Sequence, residues 1–395
     1  MKRISIDPIT RLEGHGRIEI FLNDDDEVAD VAFQVPELRG FEKFCQGRPV
    51  WELASIVPRI CGVCPGAHHM AAGKAIDAVY QVEPPETARK LRELFYCAHF
   101  IHSHIAHFYL LAAPDFVVGP DAERSQRNVL GMLQKVGLEL VGSVIEHRKL
   151  AQEIQATLAG RATHPSWTVP GGVSKGLQEP ERRQIADHAR ACLEFAKATV
   201  KVFEEVVLAD KAHVDLICSD PYQLRTHYMG LVDDQNRVAF YDGQVRVVDT
   251  EGREIVKYPP SEYLAHVGEH VEPWSYLKFP FLKAKGWRGL VEGQDSGVYQ
   301  AAPLARLNAA TGMALRWPRP STSGSSRRWA AGRCAPRSLR TGLVSSSSST
   351  PPSAWRSSQA TRSSPAPRSA VCPSDHPTRV WGPWRRRAER SRITT

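Results

Sequence analysis

"RICGVCPGAHHM", residues 59 to 70, places two cysteines three apart and a histidine four residues past the second. Its flanks say how the chain must be built around it. "VWELASIVPRI" before it reads as a short helix ending ahead of Pro58, because the residue preceding a proline is pushed out of the helical region. "GAHHMAAGKAIDAVY" after it reads as a second helix, so the pair sits on a turn between the two. Three chemistries fit such a pair. It is half of a tetrahedral zinc site, which needs four ligands, a redox dithiol, which prefers a strand-to-helix setting, or two small buried side chains. The chain has no second C-x-x-C, and Cys334 and Cys372 stand alone.

Working outward, "RISIDPI", "GRIEIFLND" and "EVADVAFQV" alternate in short apolar runs, with "NDDD" supplying turn chemistry. They predict two or three antiparallel strands, with Glu13, Gly14 and His15 at a strand entrance. From Pro85, Leu91, Leu94, Phe95, Ala98, Ile101, Ile105, Phe108 and Tyr109 recur at three and four, the signature of a long buried helix. A second helix is expected from Asp121 to Ala159, punctuated by glycine. A third runs from Pro180 to Asp210, with Ile185, Cys192, Phe195 and Phe203 on one face. Helices this long imply a bundle as the scaffold. Between the second and third, "GRATHPSWTVPGGVSKG" is too rich in Pro and Gly for either period, and loops of that length are often functional. "RVAFYDGQVRVVDTEGREI" predicts a hairpin at Asp242-Gly243 and another turn at Glu251-Gly252.

The 395 residues carry a formal charge of +8, but its distribution argues against a nucleic-acid surface. Residues 315–395 hold 16 Arg, no Lys, and only Asp375 and Glu389 as acids, leaving 35 basic against 41 acidic residues before them. The first 314 residues therefore make a mildly acidic body with no basic stripe for phosphates. Eight cysteines in so long a chain are no dense disulfide framework, and a reducing compartment is expected. No signal-peptide pattern and no run of 18 apolar residues appears, so the reading is a cytosolic chain without a membrane span.

Beyond Ala314 periodicity stops. The last 81 residues hold 18 Ser, 16 Arg, 10 Pro and 5 of the 9 Trp. Disordered tails are poor in aromatics, whereas Arg, Ser, Pro, Ala and Trp together are what a GC-rich coding strand yields out of frame. Two segments are expected: a domain over residues 1–314 and a non-native-like, disordered tail over 315–395.

Arg59, Cys61, Cys64 and His68 fit R-x-C-G-x-C-x-x-x-H, which resembles the amino-terminal metal-binding signature of the large, catalytic subunit of nickel–iron hydrogenases. "DPITRLEGHGRIEI", "LRGFEKFCQGRP", "HSHIAHFYLLAAPD", "HPSWTVPGGVSKG" and "PLARLNAATGM" are similar to further segments of that family, in its order. The cytosolic group is the best match, methyl-viologen-reducing, F420-non-reducing or coupled to NAD(P). The resemblance implies a mainly α fold with peripheral antiparallel β-strands around a long-helix bundle, and reversible cleavage of H2 into protons and electrons. It implies Ni, Fe carrying CO and cyanide, and Mg as cofactors, an iron–sulfur small subunit and further electron-acceptor subunits as partners, and no nucleic acid. Soft thiolates suit such a centre. Cys61 corresponds to a terminal nickel ligand and Cys64 to a nickel–iron bridge. Glu13 corresponds to the proton-relaying carboxyl, expected to be buried beside the thiolates with a raised pKa. Glu42 matches the magnesium ligand, a hard donor for a hard ion. Arg59 balances charge near the cluster, His15 and His68 stand behind the ligands, and His164 lies near the small-subunit interface. His99, His102, His104 and His107 read instead as hydrogen-bonding groups of the bundle.

The family's second cysteine pair, in D-P-C-x-x-C-x-x-H, is absent from this sequence. With two thiolates of four the centre is not expected to assemble, and a frameshift near codon 314 is the simplest cause. Two other classes remain: the fold-related quinone-chamber subunit of respiratory complex I, which retention of both Cys61 and Cys64 argues against, and a zinc-binding module.

Overall fold

The computed structural model of the chain describes residues 2–313 other than Pro120, Arg124 and Ala302. The tail expected over 315–395 lies outside the described residues. The chain opens with β1 (Lys2–Ile6), β2 (Arg17–Leu22) and β3 (Val28–Gln34) in one antiparallel sheet, the alternation having set the register Ile4 to Ile20 and Ile18 to Phe33.

Short helices α1 (Phe41–Cys45) and α2 (Leu53–Ile56) lead into α3 (Pro65–Tyr80), and α4 (Glu86–Ala106) follows. The short helix ends at Ile56, ahead of Pro58 as expected, and Pro58 sits buried in the first turn of a 3-10 turn, Val57–Ile60, where its missing N–H costs little. After α4 a π-type turn, His107–Ala112, leads to α5 (Ala113–Val117).

The second long helix, α6 (Val129–Ala159), starts eight residues later than the spacing suggests. Asn128 decides this. Its side chain accepts from the N–H groups of Leu130 at 2.9 Å and Gly131 at 3.1 Å, a helix cap, whereas residues 121–127 offer no apolar period. Gly137, at φ 81° and ψ 164°, then interrupts the helix, a conformation open to glycine. The Pro/Gly loop forms a small hairpin of β4 (Thr168–Val169) and β5 (Gly172–Val173), and α7 (Glu179–Phe203) and α8 (Lys211–Ile217) complete the helices of the bundle region.

The remaining strands are β6 (His227–Val232), β7 (Arg237–Val238), β8 (Gln244–Val248), β9 (Glu254–Tyr258), β10 (Val267–Val271), β11 (Lys278–Leu282), β12 (Tyr299–Gln300) and β13 (Gly312–Met313), with α9 (Tyr263–His266) and α10 (Pro303–Asn308) between them. The turn at Glu251-Gly252 joins β8 to β9 as a hairpin. The turn at Asp242-Gly243 does not make one, because β6 lies between β7 and β8 and pairs with both. Long-range pairing with β6 outweighs the local turn chemistry there. The fold is mainly α with peripheral strands, mostly antiparallel. β12 on β6 and β13 on β7 are parallel pairings that the local pattern does not reveal.

The core lies where α3, α4, α6 and α7 meet the loop hairpin. Met70, Leu91, Phe95, Ala98, Ile154, Leu158, Trp167 and Ile185 form one buried cluster. Each large side chain withdrawn from water there contributes about 1.5–3 kcal/mol.

Candidate metal centre

The cysteine turn is set by what precedes and follows it. The 3-10 turn ends at Ile60, Cys61 is extended, and Cys64 is the N-cap of α3, with Pro65 at the first helical position, where its missing N–H costs nothing. The backbone N–H of Cys64 donates to Cys61 Sγ at 3.2 Å. The Cys61 thiol donates to Glu13 Oε1 at 3.3 Å, across 48 residues of sequence. Glu13 gets there on a reversed turn, with Arg11 at φ 61° and Gly14 at φ 83°. Burial first, then the neighbouring Cys61 thiol, pushes the Cys64 thiol up to about 12 in the metal-free chain.

Glu13 itself is exposed among the described residues, where a buried position beside the thiols is expected. Glu42 is paired with Arg39, whose guanidinium donates to it at 2.5 Å and holds its carboxyl below the usual range. The Arg59 guanidinium turns back onto the carbonyl of Ser55, and His15 pairs with Glu37. His68 is half-buried, and burial lowers its pKa. His164, at φ 52°, hydrogen-bonds through Nδ1 to the carbonyl of Pro58 at 3.0 Å, tying the Pro/Gly loop to the turn that feeds Cys61.

Two features that support this turn carry no signal in the local sequence. His69 is fully buried. Its Nδ1 donates to the Ala54 carbonyl at 2.8 Å and its Nε2 accepts from the Thr168 N–H at 3.2 Å, which defines a neutral tautomer. Arg92, 1% exposed, bonds to Asp77 and to the carbonyls of Val169 and Gly172, clamping α3, α4 and the loop together. An Arg and an Asp far from the motif cannot be paired from spacing alone. Of the bundle histidines, His102 departs from expectation. It is buried, and neither ring nitrogen has a hydrogen-bond partner among the described residues.

The donor set is therefore two thiols converging from one turn, with a carboxylate on one of them. Soft sulfur at this spacing fits one arm of a thiolate-bound nickel or iron site. Among the described residues no cluster of three or more His, Cys, Asp or Glu stands ready to close a metal site. The pair fits half of a four-thiolate site, and no complete one.

A helical bundle that presents a C-x-x-C pair at a helix start, beside a carboxylate from the loop between β1 and β2, has the donor chemistry of half a thiolate metal site. Residues 39–130 match the family model of nickel-dependent hydrogenases, and residues 3–38 match a model described as HoxL-like. The chain is 44% identical over 308 residues to an F420-non-reducing hydrogenase iron-sulfur subunit of Archaeoglobus profundus, covering 78% of this chain and 63% of that protein. It is 42% identical to a vhu-type F420-non-reducing hydrogenase subunit of Methanocaldococcus jannaschii, covering 78% and 71%. The crystal structure of an NAD+-reducing nickel–iron hydrogenase in the H2-reduced state matches with a TM-score of 0.71 and 36% identity, over 78% of this chain and 66% of that one. The chain belongs to the nickel-dependent hydrogenase family, as a large-subunit domain. It spans about two thirds of the length of these relatives, 63% to 71%.

Proposed function

We propose that residues 1–314 are the large-subunit body of a nickel–iron hydrogenase, carrying the amino-terminal half of the metal centre that cleaves H2 reversibly. One observation carries the reading: Cys61, Cys64 and Glu13 converge from an amino-terminal loop and a helix start 48 residues apart. In this reading Cys61 and Cys64 would supply thiolates to nickel and Cys64 would also serve iron of the kind that carries CO and cyanide, while Glu42 would serve magnesium, for which it would have to leave Arg39. The bimetallic centre, when bound, supplies the heterolytic splitting of H2.

The chain's own part is proton handling. Glu13 Oε1, 3.3 Å from Cys61 Sγ, is placed to take a proton from that sulfur. Glu13 is exposed among the described residues and passes the proton onward toward water. Arg59, His15 and His68 sit around the turn as charge and hydrogen-bond support.

The electron-transfer partner in this reading is an iron–sulfur small subunit, with further acceptor subunits beyond it. Phe44 and Trp51, more than half exposed, line an open groove of about 450 Å³ with Ser55, Ser166 and Val169, an apolar face suited to a protein surface. His164 lies along the same loop. A cytoplasmic setting fits the sequence, and among the described residues no helix is long and apolar enough to cross a membrane.

The same reading makes the polypeptide as written inactive, because its sequence holds one of the two cysteine pairs and its composition breaks at 315–395. The test has two parts. Purified chain is assayed for nickel and for H2–D2 exchange; stoichiometric nickel with exchange would overturn the inactivity. Resequencing across codons 305–325 and translating onward then decides the frame. A continuation ending in D-P-C-x-x-C-x-x-H restores a complete large chain, and its absence from all three frames rejects the frameshift.

A further inference from the structure

We infer that the guanidinium of Arg306, set in an aromatic corner against α4, binds the carboxylate of a small organic acid. No metal-site residue takes part. Tyr96, Phe100 and His104 follow one another at every fourth residue and so share one face of α4. Phe240, in the loop between β7 and β8, stands edge-on to Phe100 with ring centroids 5.0 Å apart. The Arg306 Cζ lies 4.7 Å from the Phe100 centroid and 5.1 Å from that of Phe240, a nearly equilateral triangle in which both rings attract the cation. Tyr96 and His104 flank Phe100, at 4.5 and 5.6 Å between ring centroids. The backbone fixes the cation in place. Ala305, Asn308 and Ala309 are buried on the inner side of α10 and just past its end. Gly230 of β6 allows the close approach, since a Cβ there would meet the Arg306 Cα at 3.1 Å.

What the corner lacks is an oxygen. Arg306 is half-buried, yet among the described residues it has no ion pair and no hydrogen bond. Burial pushes its guanidinium below the ordinary value, and no carboxylate offsets that. Asp242, two residues from Phe240, is already taken by Lys74 at 2.9 Å and Arg89 at 2.8 Å. The rings attract the charge but leave the N–H fork without an acceptor, and a carboxylate matches that fork with two parallel bonds. One unpaired cation balances one negative charge, whereas a phosphate dianion calls for more. Tyr96, Phe100 and Phe240 offer an apolar wall to the rest of an organic acid, as ligand sites commonly do. Benzoate is therefore the probe, and inorganic phosphate the comparison.

The full chain is treated with phenylglyoxal, which modifies arginine, with and without benzoate, and digested with trypsin. A modified Arg306 blocks cleavage and joins residues 289–306 to 307–316 in one peptide. Arg182 and Arg183, exposed and paired with Glu179, are internal references. Benzoate at about ten times its Kd should slow modification of Arg306 about tenfold and leave both references unchanged, and phosphate at the same concentration should protect neither. In saturation-transfer NMR the wild-type chain should bind benzoate saturably. Arg306→Lys, which keeps the charge and loses the fork, should bind it about tenfold more weakly. The footprint is read on the unaltered protein, so it does not depend on how the variant folds. An unchanged Arg306 footprint, equal protection of the references, equal protection by phosphate, absence of saturable binding, or wild-type affinity in Arg306→Lys overturns the assignment. Nickel content and H2–D2 exchange are read separately, so failure of either experiment leaves the other standing.

Discussion

Replacing Arg92 by Met tests how the cysteine turn is held. The wild-type guanidinium is 1% exposed and makes four bonds, to Asp77 Oδ2 at 2.5 Å, Asp77 Oδ1 at 3.4 Å, the Val169 carbonyl at 3.0 Å and the Gly172 carbonyl at 2.6 Å. Without it, Asp77 keeps only the Gly171 N–H at 2.8 Å and stays a nearly buried carboxylate without a counter-charge. Breaking one side of a buried pair costs about 3–5 kcal/mol. The double variant Arg92→Met with Asp77→Leu removes the stranded charge and leaves only backbone groups unpaired, at about 1–3 kcal/mol each at most. It should therefore be more stable than Arg92→Met alone, by about 1–2 kcal/mol. Urea unfolding followed by far-ultraviolet circular dichroism gives both values. A loss below about 1 kcal/mol for Arg92→Met, or a double variant no better than the single one, refutes the clamp.

Three further outcomes follow from the packing. Burial holds His69, His99 and His102 at about 4, below their ordinary 6.5, so the unfolded chain binds more protons between those values. Stability should be full above about pH 6.5 and fall as pH drops toward 4, by up to roughly 3 kcal/mol per histidine; a flat urea midpoint over that range rejects this. Gly66→Ala would put a Cβ 2.9 Å from the His99 ring, so it should destabilise by about 1–3 kcal/mol, and an unchanged thermal midpoint would show that the helix start has room. Asn128→Ala removes the cap of α6 and should cost about 1 kcal/mol, measured in the same unfolding experiment; no loss would move the helix start elsewhere.

Elements whose cause is local are readable from the residues. The period of Leu91, Phe95, Ala98 and Ile105 is a property of one helix, and the alternation from Lys2 to Gln34 is a property of one sheet. The start of α6 departs from its local pattern because a single capping side chain, Asn128, outweighs composition. The Asp242-Gly243 turn departs from its own because β6 inserts between the two arms. At the site, the cysteine spacing and the Pro65 helix start are written in consecutive residues.

By itself the sequence determined the family, through the resemblance of its motifs, and the long helices, through their periodicity, and it marked Cys61, Cys64, Glu13 and Glu42 as candidates by that same resemblance. Only the tertiary structure decided which of them meet. Glu13 reaches Cys61 through the folding of an amino-terminal loop, Glu42 is taken by Arg39, and His102 is left buried with no hydrogen-bond partner among the described residues. Those outcomes depend on which surfaces pack together, and packing joins groups that spacing cannot see.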